Sequence, residues 1–333
     1  MNPPKKKTTI NEKQERKVFF MPDKYTAKRR KNQAFTKIAS NYYSPARFTR
    51  ICECGSYLEF HANKELDKLK LNRANFCSVR FCPMCDWRQS KKDALKVSVL
   101  MDYIEREHQK SFIFATFTAP NVKADKLRDE LTKFNLAFKN LLKRDELIPV
   151  NQGFIRKLEI TYNKQRDDYH PHFHCVIAVN KSYFTSRDYV RHSKWLNLWR
   201  SVMHDETIES VNVRQVKKML DDSSLGQGKA VNEIAKYSAK DMEYLHSNDV
   251  FKSFRDALHG RQLITYGGLF ASANKKFKNN ELDHLIPTDP TNYFYLLLYR
   301  WGKGDYIEQE RRELTPEEIK NANNKLLKES EVD

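Results

Sequence analysis

The chain has 333 residues, of which 40% are hydrophobic and 12% aromatic, so it is long enough for two or three small domains with a core. Its nine glycines form neither a Walker A loop nor a GxGxxG loop, and no apolar run has the length of a membrane span or a signal peptide. We therefore expect a soluble, cytoplasmic protein with no membrane partner. The formal net charge of +17 predicts a polyanionic partner, and nucleic acid is the natural one.

The positive charge is concentrated in residues 1–50, which hold nine Lys and five Arg against three acidic residues. We interpret this segment as a basic arm that follows a phosphate backbone, and the alternative is a solvated tail. A second basic surface lies on the helix predicted for residues 86–107. The residues predicted to contact DNA are Arg29, Arg30 and Lys31 in the arm and Arg88, Lys91 and Lys92 on that helix.

Five of the six cysteines lie between Cys52 and Cys85. Closely spaced cysteines in a reducing compartment indicate a zinc site, because disulfides are rare there. The alternatives are a redox CxxC site, which needs a βαβ context that the sequence lacks, and buried free thiols. We predict a closed structural zinc site, with Cys52 as a spare thiol that competes with the first ligand; the four predicted ligands are Cys54, Cys77, Cys82 and Cys85.

Hydrophobic periodicity predicts alternating strands and helices after the cysteines. In chain order these are a buried strand at residues 111–121, an amphipathic helix at 125–144, a strand at 153–162, a strand at 169–176, a helix at 185–203, a strand at 209–217 and a helix at 230–246.

Three of the ten histidines, His170, His172 and His174, stand at alternate positions of one predicted strand. Alternate side chains of a strand share a face, so the three imidazoles form a candidate metal site. The preceding strand should form an antiparallel hairpin with this one. If Tyr162 opposes Tyr169, Glu159 opposes His172 and becomes a ligand candidate. A plain surface ion pair of Glu159 is the alternative, and the third ligand is either His170 or Glu159.

The predicted helix at residues 230–246 carries Glu233, Tyr237, Lys240 and Tyr244 on one face. Such a stripe can be a solvated surface. Beside a cation that polarises a phosphate, however, Tyr237 can attack as a nucleophile and Lys240 can favour its phenolate. Glu233, one turn away, can act as a general base.

Four short motifs occur in a specific order. They are residues 75–87 with Phe-Cys-Pro-Met-Cys-Asp-Trp, residues 114–118 (Phe-Ala-Thr-Phe-Thr), His172-Phe-His174, and residues 233–237 (Glu-Ile-Ala-Lys-Tyr) followed by Lys240. In these motifs the chain resembles the Rep initiators of rolling-circle plasmids from Gram-positive bacteria, which belong to the HUH endonuclease superfamily. The resemblance covers most of residues 50–300.

The resemblance implies an α+β fold with an HUH-type antiparallel sheet flanked by helices and a Mg²⁺ or Mn²⁺ ion beside the histidines. It implies a nick in plasmid double-strand origin DNA that is single-stranded at the nick, with Tyr237 bonded to the 5′ phosphate and a free 3′-OH as primer. Glu233 would activate water for the final cut, although Tyr244 leaves a second-tyrosine mechanism open. A host helicase and DNA polymerase would follow.

We expect four regions: a basic arm at 1–50, the zinc lobe and basic helix at 51–105, an HUH nicking domain at 106–250 and a mostly helical C-terminal region at 251–333. A mobilisation relaxase is less compatible with the motif order, because its tyrosine typically precedes the histidines. Two further interpretations stay open, an HUH transposase and a non-catalytic zinc-ribbon DNA-binding regulator.

Overall fold

A computed structural model describes residues 23–216, 228–235, 240–323 and 326. Helices and two antiparallel sheets within this part of the chain confirm the expected α+β class. The α-helices are α1 (Asp23–Ala39), α2 (Pro45–Glu53), α3 (Pro83–His108), α4 (Ala124–Leu141), α5 (His192–Met203), α6 (Gly228–Ala235), α7 (Asn248–Leu258), α8 (Leu269–Lys278) and α9 (Pro316–Ala322). The strands are β1 (Tyr57–Ala62), β2 (Leu69–Ala74), β3 (Lys110–Thr118), β4 (Gly153–Asn163), β5 (Asp168–Asn180), β6 (Asn212–Gln215), β7 (Ile264–Gly268), β8 (Tyr295–Gly302) and β9 (Asp305–Glu313). Short 3₁₀ helices lie at Lys181–Thr185, Lys240–Leu245 and Asp283–Leu285.

The central layer is a five-stranded sheet with the order β6-β3-β5-β4-β7. Its β4–β5 hairpin has the predicted register, since Tyr162 pairs with Tyr169 and Glu159 pairs with His172. Side chains alternate across a strand, so this register places Glu159 and the histidines of β5 on one face, which we call the site face.

Helices α4, α5 and α7 cover the face opposite the site face. The rings of Phe134 on α4 and Phe173 on β5 stack with centroids 3.9 Å apart. Trp199 on α5 is fully buried, and its indole N–H donates to the Thr118 carbonyl at 2.8 Å. Trp195 on the same helix is also buried, so both tryptophans belong to the core, and the Trp199 hydrogen bond fixes α5 against the end of β3.

Helices α3, α6 and α8 cover the site face beyond the histidines. Val97 and Leu100 of the α3 apolar stripe pack in one cluster with Phe112 and Phe114 of β3 and with Ile234 of α6. This packing holds α6 against β4 and β5, next to the strand positions that carry the histidines.

A second sheet joins distant parts of the chain, with the order β2-β1-β8-β9. Strand β1 pairs with β2 on one side and with β8 on the other, so residues 57–74 and residues 295–313 form one layer. The region after residue 250 also supplies β7 to the central sheet. It therefore contains three strands in addition to the expected helices, and the description "mostly helical" misses this sheet.

Two predicted helices differ from the observed elements. The helix expected at residues 185–203 begins only at His192, because the Ser186 hydroxyl accepts from the Asp188 N–H and forms a local turn before it. The continuous α-helix expected at 230–246 is also wrong, since α6 is described to Ala235 and a 3₁₀ helix occupies Lys240–Leu245. Two side chains of the 3₁₀ helix hold it in place: Glu243 accepts from the Tyr162 N–H at 2.6 Å, and Tyr244 donates to the Phe81 carbonyl.

The strand expected at residues 209–217 is shorter than predicted, and within the described residues it runs from Asn212 to Gln215. A capping box begins α9, since Thr315 and Glu318 exchange hydrogen bonds between side chain and backbone. Across the described ranges, the helices are too short or too polar for a bilayer span.

Candidate functional site

Glu159, His172 and His174 converge on the site face of the central sheet. The Oε2 atom of Glu159 lies 2.8 Å from His174 Nε2 and 3.1 Å from His172 Nε2. The three residues form one of two groups among the described residues that could hold a metal ion. The register of the hairpin creates this group, because it brings a carboxylate of β4 beside two imidazoles of β5.

The second nitrogen of each imidazole faces a polar group of the sheet. His172 Nδ1 lies 3.3 Å from the His170 carbonyl, and His174 Nδ1 lies 3.4 Å from the Thr116 hydroxyl. A metal-ligating histidine commonly places its other nitrogen against such a group, which fixes the ring and the tautomer. The arrangement therefore presents both Nε2 atoms towards Glu159.

Glu159 is only 7% exposed, and His174 is 9% exposed. Burial opposes ionisation of Glu159, but the hydrogen bonds from His172 and His174 outweigh it and hold the pKa of the carboxyl well below its usual range. The group therefore keeps one negative charge in a protected position, as a cation site requires.

His170 shares the strand face but lies outside the converging group. Its ring centroid is 5.7 Å from that of His172, and Thr161, not a carboxylate, is its partner on β4. Burial lowers the pKa of the His170 imidazole. The group that could hold a metal ion therefore contains Glu159, whereas the His170 ring lies outside it and the His170 carbonyl faces His172 Nδ1.

Of the predicted catalytic residues, Glu233 lies on α6, which packs over the site face beside β4 and β5. Tyr237 lies outside the described residues, and of Lys240 only the backbone is described. Tyr244 is 5% exposed, and its hydroxyl donates to the Phe81 carbonyl at 3.0 Å. This burial in the core argues against Tyr244 as a second nucleophile.

The second candidate metal group consists of Cys54, Cys77, Cys82 and Cys85, as predicted. Three sulfur pairs lie between 3.4 and 3.6 Å apart, well beyond disulfide bond length, and all six cysteines are free thiols. The Cys54 sulfur accepts from the Cys77 N–H, and the Cys85 sulfur accepts from the Ser78 N–H. Hydrogen bonds from the neighbouring thiols lower the pKa of Cys85. Cys52 lies outside the group, so Cys54 and not Cys52 is the fourth cysteine that could bind the metal.

Two residues of α1 support the cysteine group. Asn32 is fully buried and links the end of α2 to the cysteine group. Its amide donates to the Ile51 carbonyl, and its Oδ1 lies 3.0 Å from Cys82 Sγ. Arg29 is 5% exposed, and its guanidinium donates to the carbonyls of Cys54 and Cys52. Arg29 therefore supports the loop of the cysteine ligands, and the prediction that it contacts DNA is wrong because its cation is not at the surface.

The other predicted DNA contacts lie nearer the surface. Arg30 and Lys31 are exposed on α1, where Arg30 donates to the Gly304 carbonyl. On α3, Lys92 is exposed and Arg88 lies 3.8 Å above the ring of Phe76. The remaining one, Lys91, lies 4.9 Å above the Trp87 ring.

Sequence reasoning did not identify Thr116 and Asn32 as site residues. Thr116 lies in one of the four motifs, and pairing β3 with β5 by alternation would have placed it opposite His174. No local signal marks Asn32, because its contact with Cys82 spans 50 positions of the chain.

Comparisons with known proteins identify the family of the chain. A family model described as "Replication protein" matches residues 68–306. A "Protein rep" from Staphylococcus aureus is 45% identical over 68% of this chain and 97% of its own length. A "Protein rep" from a Bacillus species is 35% identical over 72% of this chain and 83% of its own length. A "Protein rep" from Streptococcus pneumoniae is 30% identical over 75% of this chain and 78% of its own length.

No solved structure matches the chain significantly. The family match spans more than half of the chain, and it includes both candidate metal groups except Cys54. The chain therefore belongs to the replication protein family, in agreement with its resemblance to the Rep initiators of rolling-circle plasmids.

Proposed function

We propose that this protein initiates rolling-circle replication of a plasmid by nicking one strand of the double-strand origin through Tyr237. The observation that carries the proposal is the group of Glu159, His172 and His174 in a chain of the replication protein family. Two imidazoles and one carboxylate leave coordination positions open, which suits a catalytic cation better than a closed structural site.

The donor set fits Mg²⁺ or Mn²⁺. Neighbouring ligands about 2.1 Å from an octahedral ion lie about 3 Å apart, and Glu159 lies 2.8 and 3.1 Å from the two imidazole nitrogens. When bound, such an ion polarises a phosphate and offsets the charge of the transition state. Glu159, His172 and His174 would hold it, with Thr116 and the His170 carbonyl fixing the ring orientations.

The Tyr237 oxygen then attacks the scissile phosphorus. A bond forms between tyrosine and the 5′ phosphate, the bond to the 3′ oxygen breaks, and that oxygen takes a proton to become the 3′-OH primer. Lys240 favours the phenolate, whose ordinary pKa of about 10 makes it scarce at neutral pH. In the bacterial cytoplasm, a host helicase then unwinds the duplex and a host DNA polymerase extends the primer.

Glu233 supports termination in this proposal. At the end of a round, its carboxylate accepts a proton from water, so that hydrolysis replaces a second tyrosine attack. The burial of Tyr244 supports this single-tyrosine scheme. A relaxase or transposase role is less well supported, because the related proteins are replication proteins.

The four cysteines would hold a structural Zn²⁺. Sulfurs bound about 2.3 Å from a tetrahedral zinc ion lie about 3.8 Å apart, and the observed separations of 3.4–3.6 Å are close to this value. Arg30, Lys31, Arg88, Lys91 and Lys92 would supply phosphate contacts together with the basic arm.

Tyr237→Phe should abolish the covalent adduct, because the ring then lacks the attacking oxygen. The measurement uses a single-stranded oligonucleotide from the plasmid's own origin, labelled on the 3′ side of the nick, with Mn²⁺ and a denaturing gel. Tyr244→Phe is the matched control and should still form the adduct. A labelled adduct with Tyr237→Phe would contradict the nucleophile assignment, and no adduct with the native protein would favour the binding-only regulator.

His174→Ala should raise the Mn²⁺ concentration needed for half-maximal nicking by roughly tenfold to a hundredfold, because it removes one ligand. His170→Ala should change this concentration little, since its ring lies outside the group. A Mn²⁺ titration of the nicking rate checks both variants. Equal effects of the two substitutions would show that the His170 ring also binds the ion and would overturn its exclusion from the group.

Cys85→Ser should remove zinc from the purified protein, whereas Cys52→Ser should retain about one zinc per chain. Metal analysis by mass spectrometry checks both values. Zinc loss in Cys52→Ser, with zinc retained in Cys85→Ser, would overturn the ligand assignment.

Glu233→Ala should leave the first nick nearly unchanged and slow the terminating hydrolysis by roughly 10²- to 10⁴-fold, as expected for loss of a general base. Asn232→Ala, an exposed neighbour on α6, is the control. Release of the labelled fragment from the adduct reports termination separately from nicking. Equal losses in both steps would show that Glu233 does not act specifically in termination.

A further inference from the structure

A cavity of about 450 Å³ lies between the region around the four cysteines (residues 51–105, the cysteine lobe) and the central sheet. One wall is the chain after β2 and the first turns of α3, and the other is formed by β4 and β7. Its volume is in the range of small-ligand sites. Its lining residues are Phe76, Ser78, Val79, Arg80, Cys85, Asp86, Arg88, Gln89, Ser90, Lys92, Asp93, Lys157, Leu263, Ile264 and Tyr266.

The cavity adjoins both candidate metal groups. Lys157 lines it and stands two residues before Glu159 on the same face of β4, a distance of about 7 Å along a strand. Lys157 also pairs directly with His174. On the opposite wall, the cysteine ligand Cys85 contributes to the lining. A DNA strand bound at Glu159 that runs along β4 towards Gly153 would reach this cavity within one or two nucleotides.

The walls of the cavity offer flat and apolar surfaces. The guanidinium of Arg88 lies 3.8 Å over the ring of Phe76, so the two form a stacked platform. Tyr266 and Ile264 of β7 line the facing wall. Aromatic rings and guanidinium planes are the surfaces on which proteins stack unpaired bases.

The polar side of the cavity holds two carboxylates among four basic side chains. Asp86 and Asp93 both line it, and the Gln89 amide donates to one Asp93 oxygen at 3.0 Å, which orients that carboxylate. Carboxylates accept from the amino groups of cytosine, adenine and guanine, and thymine has no such group. At the rim, Lys92 is exposed and can reach a phosphate.

Arg80 stabilises the same wall and does not serve as a DNA contact. Its guanidinium donates to the carbonyls of Leu258 and Arg261 at 2.7 and 2.9 Å. The chain after β2 is thereby tied to the end of α7, and the cavity is formed by elements that are already fixed before any ligand binds.

We propose that this cavity receives one unpaired, amino-bearing base of the origin strand next to the nick. The inference rests on the proposed function, because it takes the strand from the metal group to the cavity. In this proposal, the interface between the cysteine lobe and the sheet takes a direct part in selecting the nick position. A zinc-stabilised wall beside the catalytic face makes base recognition depend on the integrity of the cysteine lobe.

The test is an abasic scan of the origin oligonucleotide with the Tyr237→Phe protein, which binds without turnover. Binding is measured by fluorescence anisotropy with Mn²⁺ present. We expect one position next to the nick at which removal of the base weakens binding roughly tenfold, the value of a single stacked base. Thymine at that position should weaken binding as well, because it has no amino group and its single ring N–H lies between two carbonyl oxygens that repel a carboxylate.

Two further substitutions connect that position to the cavity. Phe76→Ala should weaken binding of the intact oligonucleotide by a similar factor and add nothing when the base is already absent. Asp93→Asn should reduce the discrimination against thymine, and it provides a second route if Phe76→Ala folds poorly. Tyr189→Ala, an exposed aromatic residue outside the cavity, is the control and should have no effect.

Several outcomes would overturn the assignment. A flat abasic scan with a native protein that still nicks would reject the base site and leave the proposed function intact. A sensitive position that responds equally in Phe76→Ala, Asp93→Asn and the control protein would place the contact elsewhere. Micromolar binding of a free deoxynucleoside monophosphate without DNA would identify a mononucleotide site instead. Failure of the native protein to form any adduct would reject the proposed function itself.

Discussion

The pairing of Glu159 with His172 across the β4–β5 hairpin is the constraint on which the site depends. A shift by one residue would turn Glu159 to the opposite face and leave the imidazoles without a carboxylate. The register is held from both sides of the sheet. The stack of Phe134 on Phe173 fixes one face of β5, and helices α3, α6 and α8 cover the other. Both faces are packed against helices, so a shift in register would disrupt the packing on both sides of the sheet.

The cysteine lobe is built around a different constraint. A four-cysteine group stabilises a part of the chain with few long elements of its own, and the fold strengthens it with β8 and β9, more than 200 residues later. Arg29 and Asn32 then connect α1 to the loop that carries the first cysteine ligand. The lobe and the central sheet meet at α3, which begins at the cysteines and ends beside β3. Through this shared helix the four-cysteine group adjoins the central sheet near the group of Glu159, His172 and His174.

Electrostatics divides the basic residues into two classes. Arg29, Arg80 and Arg156 bond to carbonyl, amide or hydroxyl oxygens of the protein itself, and their planar guanidinium groups suit several oxygens at once. Lys31 and Lys92 remain exposed and contribute to the field that attracts a polyanion. The net charge of the sequence therefore indicates the class of partner, whereas burial decides which cations contact it.

The sequence by itself determined the features that depend on short-range periodicity. Alternation on β5 predicted the hairpin, and pairing Tyr162 with Tyr169 placed Glu159 beside His172; the structure shows that this register is the one adopted. Cysteine spacing likewise indicated the metal-binding group. Only the tertiary structure decided that Cys54 rather than Cys52 completes it, that Arg29 is buried and that Tyr244 belongs to the core. These outcomes depend on contacts between residues 23 to 163 positions apart, and a local pattern carries no information about such contacts.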